Sequence, residues 1–158
     1  MELVPFERSD YQLLVTWIDS EQLNYQWGGP AYTYPLTQAK IARHCANPDI
    51  SPYLFRIRDE RAGFVELRKM SAGCYRICRV FIADPYRGRG HAKQMLTRLI
   101  EKVQAEFDCQ RLSLSVFEHN QAALSCYVSL GFEVVSTSRG QEPVCGRIWN
   151  SIEMEKTL

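Results

Sequence analysis

Residues 83–94 read ADPYRGRGHAKQ, in a chain of 158 residues. Just before them, Cys74 to Ile82 is a run of strand-forming side chains. Just after them, Met95, Leu96, Leu99, Ile100, Val103 and Phe107 recur at helical spacing. The stretch is therefore a turn from the carboxyl end of a strand to the amino end of a helix. Such a turn offers free backbone N–H groups and the positive end of the helix dipole. Gly88 and Gly90 allow φ > 0 and close backbone approach to an anion, and Arg87, Arg89 and Lys93 add positive charge. The expected ligand is a phosphate or pyrophosphate. A purely solvated role for Arg89 is equally compatible, because an exposed charge is heavily screened.

Working outward, Leu3 to Phe6 reads as a short strand. Ser9-x-x-Gln12 has the form of a capping box ahead of an apolar helical face of Leu13, Leu14, Trp17 and Ile18. Gln22 to Leu36 is rich in Trp, Tyr, Gly and Pro and reads as a loop. Thr37 can cap a second helix that Pro48 ends. The middle is a meander of three strands: Tyr53 to Arg58, Phe64 to Met70, and Cys74 to Ile82. Phe64, Glu66 and Arg68 share one face of the second strand. Beyond the central helix, Arg111 to Phe117 alternates as a strand, and Asn120 can cap a helix that Gly131 closes. Phe132 to Ser136 and Arg147 to Met154 complete the strands. The two strands flanking the central helix form a βαβ unit and should run parallel, while the others pair mostly antiparallel.

Composition narrows the function classes. A formal net charge of +1 disfavours a nucleic-acid partner. No apolar run approaches the ~20 residues of a membrane span, and the charged N-terminal segment does not resemble a signal peptide. A cytoplasmic protein folded as one domain over residues 1–158 is expected. Six cysteines contain no Cys-x-x-Cys pair, so they read as reduced, packed thiols rather than disulfides or metal ligands.

No P-loop string occurs, and Lys93 occupies the third glycine position of a dinucleotide fingerprint. Arg87-x-x-Gly90-x-Ala92, by contrast, resembles the Gln/Arg-x-x-Gly-x-Gly/Ala motif of the GNAT N-acetyltransferase superfamily. A second resemblance follows in Asn120-Gln-Ala-Ala-Leu-Ser-Cys-Tyr-Val-Ser-Leu-Gly-Phe132, which meets every specified position of Asn-x-x-Ala-x-x-x-Tyr-x-x-x-Gly-Phe. The resemblance covers about residues 54–135. It implies an α/β fold with a central mixed, mostly antiparallel seven-stranded sheet flanked by four helices.

The resemblance also implies acetyl-CoA as acyl donor, with no metal. The backbone of Val80, Phe81 and Ile82 would hold the pantetheine arm as an added strand. Amides of Arg87, Gly88, Arg89, Gly90, His91 and Ala92 would hold the pyrophosphate, and Asn120 would contact the cofactor. Tyr127 takes the family's general-acid position, since a phenol stays protonated at neutral pH and can serve a departing thiolate. A core tyrosine packed on Phe132 is the alternative.

Glu66 is a candidate base, or else a solvent-facing strand residue paired with Arg56, Arg68 or Arg79. His119 reads as a loop residue. Tyr25 and Trp27 are candidate acceptor-binding aromatics, with a buried Trp27 stapling the loop to the sheet as the alternative. The implied reaction is direct attack by a primary amine, on a small molecule or a peptide N-terminus, in a ternary complex. A CoA-binding regulatory module without turnover is the other reading, and oligomeric state is left open between monomer and homodimer.

Overall fold

The structure is a computed structural model describing residues 1–158. Its strands are β1 (Glu2–Pro5), β2 (Ile50–Ile57), β3 (Glu60–Ser71), β4 (Gly73–Ile82), β5 (Cys109–Phe117), β6 (Glu133–Ser138), β7 (Pro143–Val144), β8 (Arg147–Ile148) and β9 (Ser151–Thr157). Seven of them form one sheet in the order β1-β2-β3-β4-β5-β9-β6. Only the β4–β5 pair is parallel, as the βαβ reading requires.

The helices are α1 (Tyr11–Trp17), α2 (Glu21–Gly28), α3 (Gln38–Cys45), α4 (His91–Glu106) and α5 (Gln121–Ser129). There are thus five helices rather than the four expected. The addition, α2, lies partly in the segment read as a loop. Ser20 caps it by accepting from the Leu23 N–H at 3.1 Å. Its inward face carries Asn24 beside Trp27, so a polar residue interrupts the apolar period; Asn24 Nδ2 donates to the Tyr32 carbonyl at 3.0 Å.

Two smaller expectations are also corrected. At the entry to α1, Asp10 Oδ2 accepts from the Glu7 N–H at 2.9 Å, so the box is built from Glu7 and Asp10 rather than Ser9 and Gln12. The strand expected over Arg147–Met154 is divided. Arg147–Ile148 pairs with Pro143–Val144 in a separate hairpin, and the main sheet begins again at Ser151. The hairpin's two-residue turn is Cys145 (φ +50) and Gly146 (φ +80), both left-handed as a tight hairpin turn demands.

Helices cover both faces of the sheet because the pleat of β3 sends apolar residues both ways. Val65 and Leu67 face a core that includes Met95, Leu96, Leu99 and Val103 of α4 with Leu112, Leu114 and Met154. Phe64 faces a second core with Leu14, Ile18, Trp27 and Ile41. Each such buried side chain contributes about 1.5–3 kcal/mol. The central strands are thereby held rigidly, and what they do at one end makes the site.

Candidate active site

β4 and β5 pair only from Gly73↔Cys109 to Arg76↔Ser113, although β4 runs on to Ile82 and β5 to Phe117. Beyond Arg76 the parallel ladder stops. β4 also carries an extra residue against β3: Phe64 pairs with Phe81 but Glu66 with Cys78, and Arg79 between them has φ +55. This is a β-bulge, which bends its strand and interrupts pairing. A cleft of about 660 Å³ lies at this end of the sheet, between β4, α2, α4 and α5.

One wall is Val80, Phe81 and Ile82. The loop that follows turns on Arg87, whose Nε donates to the Ile82 carbonyl at 2.7 Å and whose Nη1 lies 2.8 Å from Asp84 Oδ1. Its guanidinium sits 5.1 Å from the Phe81 ring centroid. Arg87 is thus tied to the loop through its Nε while about half of its side chain stays exposed. Gly88 (φ +74) and Gly90 (φ +77) take left-handed conformations, and a Cβ at either would have no protein atom within 4 Å. Gly90 precedes the first residue of α4, which no side chain caps. The N–H groups of His91, Ala92 and Lys93 have no backbone partner, and all three residues line the cleft.

The opposite wall is α5. Asn120 caps it, Oδ1 accepting from the Ala123 N–H at 3.3 Å, and also lines the cleft, so the capping role leaves it on the cleft wall. Tyr127 is only 7% exposed and lies 6.2 Å from Phe132 in an edge-on arrangement, yet it too lines the cleft. Burial pushes its phenol well above the ordinary value of 10.0, so it holds its proton. None of the 21 lining residues is Asp or Glu, whereas Arg87, His91 and Lys93 are basic or can become so. Positive residues, free helix amides and backbone opened by glycine suit a polyanionic ligand with an extended arm, so acyl-CoA fits the residues present.

Three sequence candidates stand apart. Arg89 is exposed and outside the lining set. Tyr25 stacks on Phe117 at 5.5 Å and meets Trp149 edge-on at 5.3 Å, joining α2 to the end of β5 rather than lining the cleft. Glu66 is fully buried outside the cleft, its Oε2 accepting from Arg79 Nη1 at 2.8 Å and hydrogen-bonded to His44 Nε2 at 3.0 Å. It is not solvent-facing, and among the arginines proposed as partners it pairs with Arg79. Trp27 does line the cleft, but as a buried staple whose Nε1 donates to the Arg79 carbonyl at 3.0 Å. His119 is exposed and stacks on Phe117.

Leu23 and Gln26 of α2, and Ser125, Cys126 and Ser129 of α5, line the cleft without having been singled out. The α5 group follows from extending the Asn120–Tyr127 face by helical spacing; the α2 pair was hidden with its helix. All six cysteines are free, and no group of three or more His, Cys, Asp or Glu is placed to hold a metal ion. No helix is long and apolar enough to cross a membrane.

A family model described as the acetyltransferase (GNAT) family matches residues 14–132. A spermine/spermidine N(1)-acetyltransferase of Bacillus subtilis (strain 168) is 40% identical over 55 residues, a stretch covering 35% of this chain and 36% of that relative. The matched stretch thus spans about a third of the relative's length. Among solved structures, a spermidine N-acetyltransferase from Vibrio cholerae in complex with CoA and spermine superimposes with a TM-score of 0.85 at 16% identity, covering 98% of this chain and 94% of that one. A ribosomal-protein-alanine N-acetyltransferase from Brucella melitensis gives 0.80 at 16% identity, covering 100% of both chains. At those identities the likeness is one of fold.

Proposed function

The chain belongs to the acetyltransferase (GNAT) family, and from that premise we propose that it transfers an acetyl group from acetyl-CoA to a primary amine. The observation that carries this reading is the cleft itself. Strand β4 runs past the end of its parallel ladder beside an uncapped helix start, with Tyr127 in the facing wall and no acidic residue in the lining.

Bound acetyl-CoA supplies a thioester whose acyl carbon the amine attacks directly, forming a C–N bond as the C–S bond breaks. Main-chain groups of the Val80–Ile82 wall that face the cleft receive the extended arm; the Ile82 carbonyl is already engaged by Arg87 Nε, and the Phe81 carbonyl is turned towards β3. The amides of Gly88 and of His91 to Lys93 receive the pyrophosphate, with the Arg87 and Lys93 side chains lowering its charge, and Asn120 flanks the arm. Tyr127 donates its phenolic proton to the departing sulfur. Burial raises its pKa, but the same apolar surroundings make a thiolate beside it more basic, so the proton transfer stays matched. Water at the cleft mouth takes the proton that the amine loses.

The acceptor is a small molecule such as a polyamine or the α-amine of a peptide, in line with the activities for which the similar proteins are named. Incubation with acetyl-CoA and a panel of polyamines and peptides, read by mass spectrometry, tests this. An acetylated amine is the expected product; acetyl-CoA bound but never consumed would leave a regulatory module.

A further inference from the structure

Glu66 and Arg79 form an ion pair on the side of the sheet covered by α1 to α3, and their side chains are 1% and 9% exposed. A buried ion pair gains little over a well-packed apolar pair of similar volume, because both charges must be desolvated. Further costs surround this one. Glu66 Oε1, Arg79 Nε and Tyr32 Oη are buried without a hydrogen-bond partner in the protein, and Arg79 itself is a left-handed non-glycine residue. Several destabilising features at one place argue that the arrangement serves geometry rather than stability.

The geometry it serves is the bulge of β4. Glu66 is registered against Cys78, the residue before the bulge, and its carboxylate reaches the Arg79 side chain. Trp27 Nε1 holds the Arg79 carbonyl at 3.0 Å. The Trp27 ring lies parallel to that of Tyr32 at 5.6 Å, and Tyr32 in turn lies 5.7 Å from the Arg79 guanidinium. Both the main chain and the side chain of the bulge residue are therefore gripped from one layer. The next three residues, Val80 to Ile82, are the strand wall of the cleft, and Trp27 lines the cleft as well.

We propose that Glu66 and Trp27 are positioning residues: they lock the bulge at Arg79 and so set where the Val80–Ile82 backbone meets the acyl-CoA arm. This rests on the reading of the cleft as an acyl-CoA site. It gives Glu66 a role that requires no contact with the reacting amine, and it links α2 to β4 through the Trp27 indole.

Calorimetric titration of CoA into the full chain tests the proposal, using Trp27→Phe, which keeps the ring but lacks the N–H, and Glu66→Gln, which keeps the shape but lacks the charge. Each should weaken CoA binding about three- to tenfold, the worth of one hydrogen bond, with the shape of the kcat pH profile preserved. Wild-type affinity in both variants overturns the proposal. So does Glu66→Gln with wild-type affinity and a lost limb of the pH profile, which would return Glu66 to proton transfer. Should either single variant fail to fold, the Glu66→Gln/Arg79→Gln double variant removes both charges together. The same weakening is expected of it, and wild-type affinity in the folded double variant is equally fatal. If the unaltered protein binds no CoA, the reading of the cleft fails instead.

Discussion

Tyr127 concentrates the chemistry at the scale of single residues. Removing its hydroxyl while keeping the ring, as in Tyr127→Phe, should lower kcat by about 100-fold, the usual contribution of a positioned acid, and leave CoA affinity near its original value. Single-turnover measurements at saturating acetyl-CoA separate the two quantities. Because burial holds the phenol above its ordinary 10.0, activity should show no alkaline loss from this residue below about pH 10, a point the pH–rate profile checks directly. Arg87, Asn120 and Tyr127 were legible in the sequence because local motifs fix them within one turn or one helix. Glu66 and Trp27 were singled out as well, with the Arg79 pairing and the buried staple among their alternatives, but the sequence could not choose between those alternatives. Their surroundings depend on Arg79, 13 residues from Glu66 and 52 from Trp27, and on a bulge that no local pattern announces.

At the scale of elements, the close approach of β3 to β4 supports the cleft's strand wall. A Cβ at Gly63 would lie 2.6 Å from the Phe81 carbonyl oxygen and 2.9 Å from Ile82 Cδ1. The first of these is backbone and cannot swing away. Gly63→Ala should therefore destabilise the fold by about 1–3 kcal/mol and displace the strand wall, so denaturant midpoints and CoA affinity should fall together. Ser20→Ala removes the cap of α2 and should cost about 1 kcal/mol. Most strands, α1 and α3 to α5 could be read from period and caps. Helix α2 was masked by Asn24 on its buried face and by the glycines after Trp27. Hairpin β7–β8 was masked because Arg147–Ile148 and Ser151–Thr157 look like one strand unless the turn at Cys145–Gly146 is recognised.

For the whole molecule, one parallel pair in an otherwise antiparallel sheet followed from the sequence, because a meander and a βαβ unit leave few alternatives; the place of β9 between β5 and β6 did not. What the sequence withheld is how the layers lean on one another, including the aromatic contacts of Tyr25 that tie α2 to β5. The buried acids make a global prediction. Burial raises Cys45 from 9.0 to about 11 and pushes Tyr32, Tyr53 and Tyr127 above 10.0. Below about pH 9 folded and unfolded chains both keep these protons. As pH rises, the unfolded chain releases them first, so stability falls from about pH 9 upward. Melting temperatures measured from pH 7 to 11 should be flat and then decline, without any need for loss of a metal or disulfide.

The central claim, acetyl transfer from a CoA held between β4 and α5, meets its most direct test in one measurement. Acetyl-CoA and an amine panel are incubated with the protein, and released CoA thiol and acetylated amine are quantified together. Equal amounts of the two products, both abolished by Gly90→Val, which places a branched side chain at a left-handed residue in the cleft, are the predicted result. Acetyl-CoA that stays intact with every amine, while CoA still binds, would contradict it.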